Sequence, residues 1–215
     1  HKDFLKKGTI SEIVYEKCSH LPKNSKIFVS EQKKDVLIKI KKTIAKNSSE
    51  KFILGKNYNY KKNTKGFIYK DRLGKINLPL PNLLGDFQIS NISTAIAAAR
   101  NINQFKVTNL DIKNAITKIK IEGRMQNVIK GKLRNYVSKN NQILIDGAHN
   151  SLGALAVKKY LKSLDSNKKI YMILGMMANK DHKGFIKIFK DRVHSIVTLN
   201  IPNQDNFIEK EKLSK

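Results

Sequence analysis

The most informative stretch of the chain is Asp146-Gly147-Ala148-His149-Asn150, directly after the apolar run Ile143-Leu144-Ile145. A carboxylate and an imidazole at the end of an expected strand can meet a nucleotide or an acyl phosphate together, because ligands bind outside the carboxyl ends of strands in parallel α/β sheets. Gly147 gives the loop freedom to turn, and the helix expected beyond it offers an N-terminus that favours anions. The same residues also read as a plain strand-to-helix loop in which Asn150 or Ser151 caps the helix. Spacing alone leaves both open.

Lys17 comes next. It follows Ile10 and Ile13 at helical spacing, on the apolar stripe of an expected helix over 9–21. Charge is costly on such a stripe, so the lysine would be paired or neutralised. A neutral amine there can act as a nucleophile, or take up CO2 as an anionic carbamate. A lysine that snorkels to water is the plainer alternative. Arg124, in Gly123-Arg124-Met125-Gln126, lies where the pattern of the chain changes; its fork suits a phosphate or a linker salt bridge. Asn91 is expected to start a helix, as a base or sugar contact or as an N-cap. Lys180-Asp181 follows the strand that ends at Leu174-Gly175, at another carboxyl edge or in a turn. The sequence holds no G-x-x-x-x-G-K-[ST] loop, no C-x-x-C, no H-E-x-x-H and no G-x-S-x-G.

The elements that must position these residues fall into two patterns. Up to about residue 122 we expect the helix at 9–21, a strand at Lys26–Ser30 and a helix over 32–46 that turns Val36, Leu37, Ile40 and Ile44 inward. A possible strand at Phe52–Leu54 follows, then a hairpin of Gly66–Lys70 and Lys75–Leu80 around Asp71-Arg72-Leu73-Gly74. Two more helices complete this part. One runs from about Asn91 with Ile92, Ala95, Ile96 and Ala99 inward; the other follows Thr108 as N-cap and buries Leu110, Ala115, Ile116 and Ile119. From Gly123 onward, strands at Gln142–Ile145, Ile170–Leu174 and Ser195–Leu199 alternate with helices at 152–164 and 184–190. That alternation implies βαβ units and one parallel sheet. The chain then ends in the charged segment Glu209–Lys215, for which we expect no closing element.

Composition bounds the function classes. The chain has 215 residues, 40% hydrophobic and 28% charged, which is ordinary for a globular protein, and no apolar run approaches the ~20 residues of a membrane helix. Its net charge of +26 invites a nucleic-acid partner. Only five basic residues are arginine, however, the lysines are spread evenly, and Lys, Asn and Ile share A/T-rich codons. We therefore assign the charge to composition bias on solvated faces rather than to nucleic-acid binding. Cys18 is the only cysteine, which fits a reducing compartment. We expect a cytoplasmic monomer with no membrane partner.

Five blocks taken in order resemble the folylpolyglutamate synthase/dihydrofolate synthase family of the Mur ligase group. His1-x-Asp3-Phe4-Leu5 followed by Thr9-Ile10, Ile13 and Glu16-Lys17 is similar to its H-x-x-x-L-G…I…E-K-A-G block. Gly85-x-x-Gln88-x-x-Asn91 with Ala95-Ile96 resembles G-x-H-Q-x-x-N-A, and Gly123-Arg124-Met125-Gln126 resembles P-G-R-x-Q. Asp146 to Asn150 matches D-G-A-H-N, and Gly175-Met176 with Lys180-Asp181 matches G-M…K-D. Lys6, Cys18-Ser19, Phe87 and Ser151 depart from the family residues at their positions, and Phe87 leaves the role of its position open.

The resemblance implies an α/β fold: the remainder of a P-loop-type Mur ligase central domain over 1–122, then a Rossmann-like parallel α/β C-terminal domain over 123–215. It implies an ADP-forming acid–amino-acid ligase. ATP would phosphorylate a folate or dihydropteroate carboxylate, and the amine of L-glutamate would attack the acyl phosphate. Site roles follow position by position. His1 would be a Mg²⁺ ligand. Lys17 would be carbamylated and also hold the metal. Asn91, Arg124 and Asp146 would contact ATP, and His149 would line the same interdomain cleft as a catalytic residue. The phosphate loop and an acidic metal ligand would lie upstream of His1 and further strands beyond Lys215, so the 215 residues alone are expected not to catalyse ligation. Two alternatives stay in view. One is another Mur-type amino-acid ligase, against which Gly147 argues. The other is a basic nucleic-acid-binding module.

Overall fold

A computed structural model of the chain describes residues 8–214. It divides into two compact units: residues up to Asn82 with Phe87–Ile119, and Leu83–Asp86 with Lys120 onward.

In the first unit, α1 (Ile10–Cys18) opens on a capping box. Thr9 Oγ1 accepts the Glu12 N–H at 3.2 Å and the Glu12 carboxylate accepts the Thr9 N–H at 3.0 Å. β1 (Lys26–Val29) and β2 (Glu50–Ile53) pair in parallel, from Lys26↔Glu50 to Val29↔Ile53, with α2 (Lys34–Ile44) as the crossover that parallel pairing demands. Ile27, Val29, Ile44 and Ile53 form the core there, with Cys18, Leu21, Leu37 and Ile40 packed on it. Burial pushes the Cys18 thiol up, away from the reactive thiolate.

A second, antiparallel sheet joins β3 (Tyr58–Lys62), β4 (Gly66–Asp71) and β5 (Gly74–Pro79). The expected hairpin is its β4–β5 half. β3 was not expected, because Tyr-Asn-Tyr-Lys-Lys has no apolar alternation. Tyr58, only 2% exposed, anchors it by donating from its hydroxyl to the Val29 carbonyl at 2.9 Å. α3 (Phe87–Arg100) lies against β1, β3 and β4, and α4 (Asn109–Lys118) against β5. α3 begins at Phe87, a turn before Asn91, and its buried face includes Ile89, Ile92, Ser93, Ile96 and Ala97. Ala95, expected inward, is exposed. α4 does start at a Thr108 cap, in a capping box with Asp111. Its buried stripe is only Ile112 and Ile116, whereas Leu110 and Ala115 face solvent. Both errors share a cause: several apolar residues were available, and the sheet contacts selected a face rotated from the one the spacing favoured.

Arg100 and Asp71 form a nearly buried ion pair, with side chains 8% and 4% exposed. Arg100 Nε and Nη2 donate to the two Asp71 oxygens at 2.9 and 3.2 Å, and the Leu73 N–H and Tyr69 hydroxyl complete the carboxylate's shell. Burial, then the neighbouring Asp71 charge, push the Tyr69 hydroxyl far above the ordinary tyrosine value, so it stays protonated and donates. Leaving either charge unpaired at such burial costs about 3–5 kcal/mol, so the pair fixes the β4–β5 turn to α3.

The second unit runs β6 (Gln126–Asn127), α5 (Lys132–Asn135), β7 (Leu144–Ile145), α6 (Ser151–Ser163), β8 (Tyr171–Leu174), α7 (His182–Phe189), β9 (Ser195–Thr198) and α8 (Lys210–Leu213). β8 and β9 are parallel, in register from Tyr171↔Ser195 to Leu174↔Thr198. The expected single parallel sheet is not found. β7 is two residues long and pairs antiparallel with β6, apart from β8–β9. After a turn at Gly123–Met125 the chain runs back along the 143–145 segment, and the Val128 N–H donates to the Ile143 carbonyl at 2.9 Å. The fold is therefore a mixed α/β fold with parallel and antiparallel sheets. Ala154 and Leu161 of α6, Leu174 and Met176, Phe185 and Phe189 of α7 and Leu213 of α8 make the core of this unit. Leu213, 3% exposed, shows that the charged C-terminal segment does close onto the core through one apolar residue. Among the described residues no helix is long and apolar enough to cross a membrane.

Candidate anion site at the β7–α6 loop

β7 ends at Ile145 and delivers Asp146 into the loop before α6. Asp146 Oδ2 accepts the Met125 N–H and Oδ1 the Ala148 N–H, both at 2.8 Å. The Gly147 N–H donates to the Gly123 carbonyl at 2.8 Å, and Gln126 Oε1 accepts the Gly123 N–H at 2.9 Å. The Gly123–Gln126 turn and the Asp146–Ala148 loop are thus stitched together by backbone groups and one carboxylate. The turn is tight: Gly123 has φ 66° and Met125 has φ 47°. A left-handed conformation costs a non-glycine residue roughly 1–2 kcal/mol. Met125 is held in it by burial to 2% exposure and by its bond to Asp146.

This stitching sets the state of Arg124. The Asp146 carboxylate is engaged with N–H groups, and among the described residues Arg124 makes no ion pair or hydrogen bond. Arg124 is exposed, and its Nη1 lies 2.9 Å from where a β-carbon on Gly147 would sit. Gly147 is not in the left-handed region, so its value is space for the arginine rather than the freedom to turn expected of it. His149 is exposed, with Nδ1 2.9 Å from the Gly147 carbonyl. A carbonyl only accepts, so Nδ1 carries a proton in this contact, and Nε2 is left facing away from it. Asn150, not Ser151, caps α6, with Oδ1 accepting the Gly153 N–H at 2.9 Å. An unpaired guanidinium fork and an imidazole on one stitched loop pair, ahead of a helix N-terminus, make a site suited to phosphate oxygens.

The other expected site residues lie elsewhere. Lys17 is in the first unit on α1. Its side chain is 54% exposed and pairs with Glu16 at 3.2 Å, so it is not buried on the apolar stripe. Asn91, also in the first unit, sits exposed one turn into α3 rather than capping it, and its amide donates to Gln88 Oε1 at 3.1 Å. His1 lies outside the described residues. Asp181 caps α7 by accepting the Gly184 N–H at 3.0 Å, the turn role considered for Lys180-Asp181. Among the described residues no three His, Cys, Asp or Glu side chains cluster as a metal site. Sequence reasoning missed Met125, because left-handed backbone at a non-glycine residue leaves no mark in the sequence.

Residues 123–215 match the family model of the Mur ligase, glutamate ligase domain. The dihydrofolate synthase/folylpolyglutamate synthase of Escherichia coli K12 is 29% identical over 156 residues, 70% of this chain and 34% of that protein. The protein of the same description from Buchnera aphidicola of Acyrthosiphon pisum is 26% identical over 200 residues, 90% of this chain and 43% of its own. In fold, the chain is similar to E. coli FolC in complex with ADP, with a TM-score of 0.81 at 23% identity over 99% of this chain and 48% of that one. It is also similar to a bifunctional folylpolyglutamate synthase/dihydrofolate synthase solved with Mn, AMPPNP and L-glutamate, with a TM-score of 0.77 at 19% identity over 95% and 46%. The chain spans less than half the length of each of these proteins. The resemblance carried by the five motifs therefore stands: residues 123–215 match the glutamate ligase domain of the Mur ligases, and the chain is similar to the dihydrofolate synthase/folylpolyglutamate synthases in sequence and in fold.

Proposed function

We propose that the chain is part of an ATP-dependent ligase that joins L-glutamate to folate or dihydropteroate. The observation that carries this reading is the match of residues 123–215 to a glutamate ligase domain, in which Arg124, without a partner among the described residues, stands at the D-G-A-H-N loop. In this proposal residues 1–122 belong to a central ATPase domain and 123–215 to the C-terminal ligase domain. The protein works in the cytoplasm as a monomer.

A folate carboxylate oxygen attacks the γ-phosphorus of ATP, the bond to the β,γ-bridging oxygen breaks, and ADP leaves. The glutamate amine then attacks the acyl carbon, loses a proton, and phosphate departs with the former carboxylate oxygen. Catalysis of this kind is mostly positioning and charge stabilisation. Arg124 takes phosphate oxygens. Asp146 keeps a second lone-pair site on each oxygen after its backbone bonds, enough to accept from a nucleotide hydroxyl while holding the loops. His149 Nε2 is the acceptor for a proton released nearby, and the Asn91 amide serves a base or sugar. The donors that the resemblance assigns to Mg²⁺ are His1 and a carbamate on Lys17, and bound metal would neutralise phosphoryl charge.

The acyl phosphate has a direct isotopic test. With ¹⁸O in the reacting carboxylate, turnover by a polypeptide that carries these residues together with a phosphate-binding loop should leave ¹⁸O in the released phosphate. Glutamate joined without ¹⁸O in phosphate would exclude the acyl phosphate.

A further inference from the structure

We propose that Gly147 is a positioning residue: the missing side chain sets where the Arg124 guanidinium lies, and with it the affinity for the phosphate groups that Arg124 binds. This rests on the phosphate role of Arg124 proposed above.

Glycine at 147 is not explained by its backbone, which lies outside the left-handed region. It is not explained by stitching either, since an alanine would keep the N–H that donates to the Gly123 carbonyl. What glycine provides is room. A β-carbon there would meet two atoms, the Gly123 carbonyl oxygen at 3.4 Å, an ordinary contact, and Arg124 Nη1 at 2.9 Å, too close. Gly66 makes the contrast: a β-carbon there would sit 2.0 Å from the Leu78 carbonyl oxygen, where only backbone can yield. At Gly147 the obstacle is the far end of a flexible side chain with no other described partner, so it yields easily. An added methyl therefore leaves the fold intact and displaces the guanidinium. For a bidentate fork, a displacement of that size is a loss of geometry at the phosphate.

ADP is the probe. The chain has five arginines, so its Nε–Hε NMR spectrum is short enough to assign, and ADP should shift the Arg124 signal. Gly147→Ala should weaken ADP binding about tenfold with the melting temperature held within about 2 °C. Added to Arg124→Ala, it should weaken binding no further, because the group it acts through is gone. A purely structural glycine would instead lower the melting temperature and add its effect to that of Arg124→Ala. Unchanged ADP affinity in Gly147→Ala, or additive effects in the double variant, overturns the proposal. Unchanged affinity in Arg124→Ala overturns the phosphate assignment itself, and this inference with it.

Discussion

Replacing Arg124 by alanine is expected to weaken nucleotide binding by about tenfold or more, while the chain unfolds at nearly the same temperature. The two halves of that expectation come from one observation. Arg124 is exposed and has no hydrogen-bond or ion-pair partner among the described residues, so truncating it removes nothing that holds the unit together. Its backbone is fixed by neighbours on both sides, Gly123 through Gln126 and Gly147, and Met125 through Asp146. A cation carried on a fixed backbone and left unneutralised suits a phosphate site, and an adjacent carboxylate would ordinarily pair with it. Here the carboxylate is engaged by backbone N–H groups. Arg124→Lys should recover only part of the affinity, since an ammonium keeps the charge and loses the planar fork. Calorimetric titration with ADP beside thermal denaturation checks this. A variant that binds as tightly as the parent, or one that unfolds well before it, would make Arg124 a bystander or a structural residue.

Much of this site was legible in the sequence, and for physical reasons. The Asp146–Asn150 block follows an apolar run, and its Asn150 cap obeys a local rule of helix entry that does not depend on the rest of the fold. Thr108 was legible in the same way. What could not be read was set by partners distant in the chain. β7 pairs with β6 because the left-handed turn at Gly123–Met125 sends the chain back along it, and Met125 gives no hint of that conformation. The face of α3 depends on which of its many alanines and isoleucines meet β3 and β4. Lys17 has helical spacing from Ile10, but Ile10 itself is 47% exposed, so the stripe through both residues is not the packed face.

Lys17→Ala carries the second large expected effect: a fall in ligation of at least about tenfold, with thermal stability nearly unchanged. Burial gives the lysine no reason to lose its charge, because the side chain is half exposed and paired with Glu16. The proposal rests on the Glu16-Lys17 match alone. Its chemistry is the addition of the neutral amine to CO2 with loss of a proton, which turns a cation into a carbamate anion. A plain structural role predicts something different. Lys17 lies in the last turn of α1, where a cation contributes about 0.3–1 kcal/mol against the helix dipole. Lys17→Arg keeps that contribution and the pairing with Glu16, but a guanidinium stays charged and forms no carbamate. Activity lost in both variants, and partly restored by small carboxylic acids, supports the carbamate. Activity retained by Lys17→Arg would leave Lys17 a helix-end cation and nothing more.

The central claim is ligation of glutamate. The measurement that addresses it most directly is incorporation of labelled glutamate into reduced folate or dihydropteroate, by a polypeptide carrying residues 1–215 together with a phosphate-binding loop. Product should form only with ATP, one ADP should appear per glutamate joined, and Arg124→Ala should suppress both. No glutamate joined to either acceptor, with salt-dependent binding of random DNA by the same preparation, would contradict the account and return the net charge of +26 to the centre of the problem.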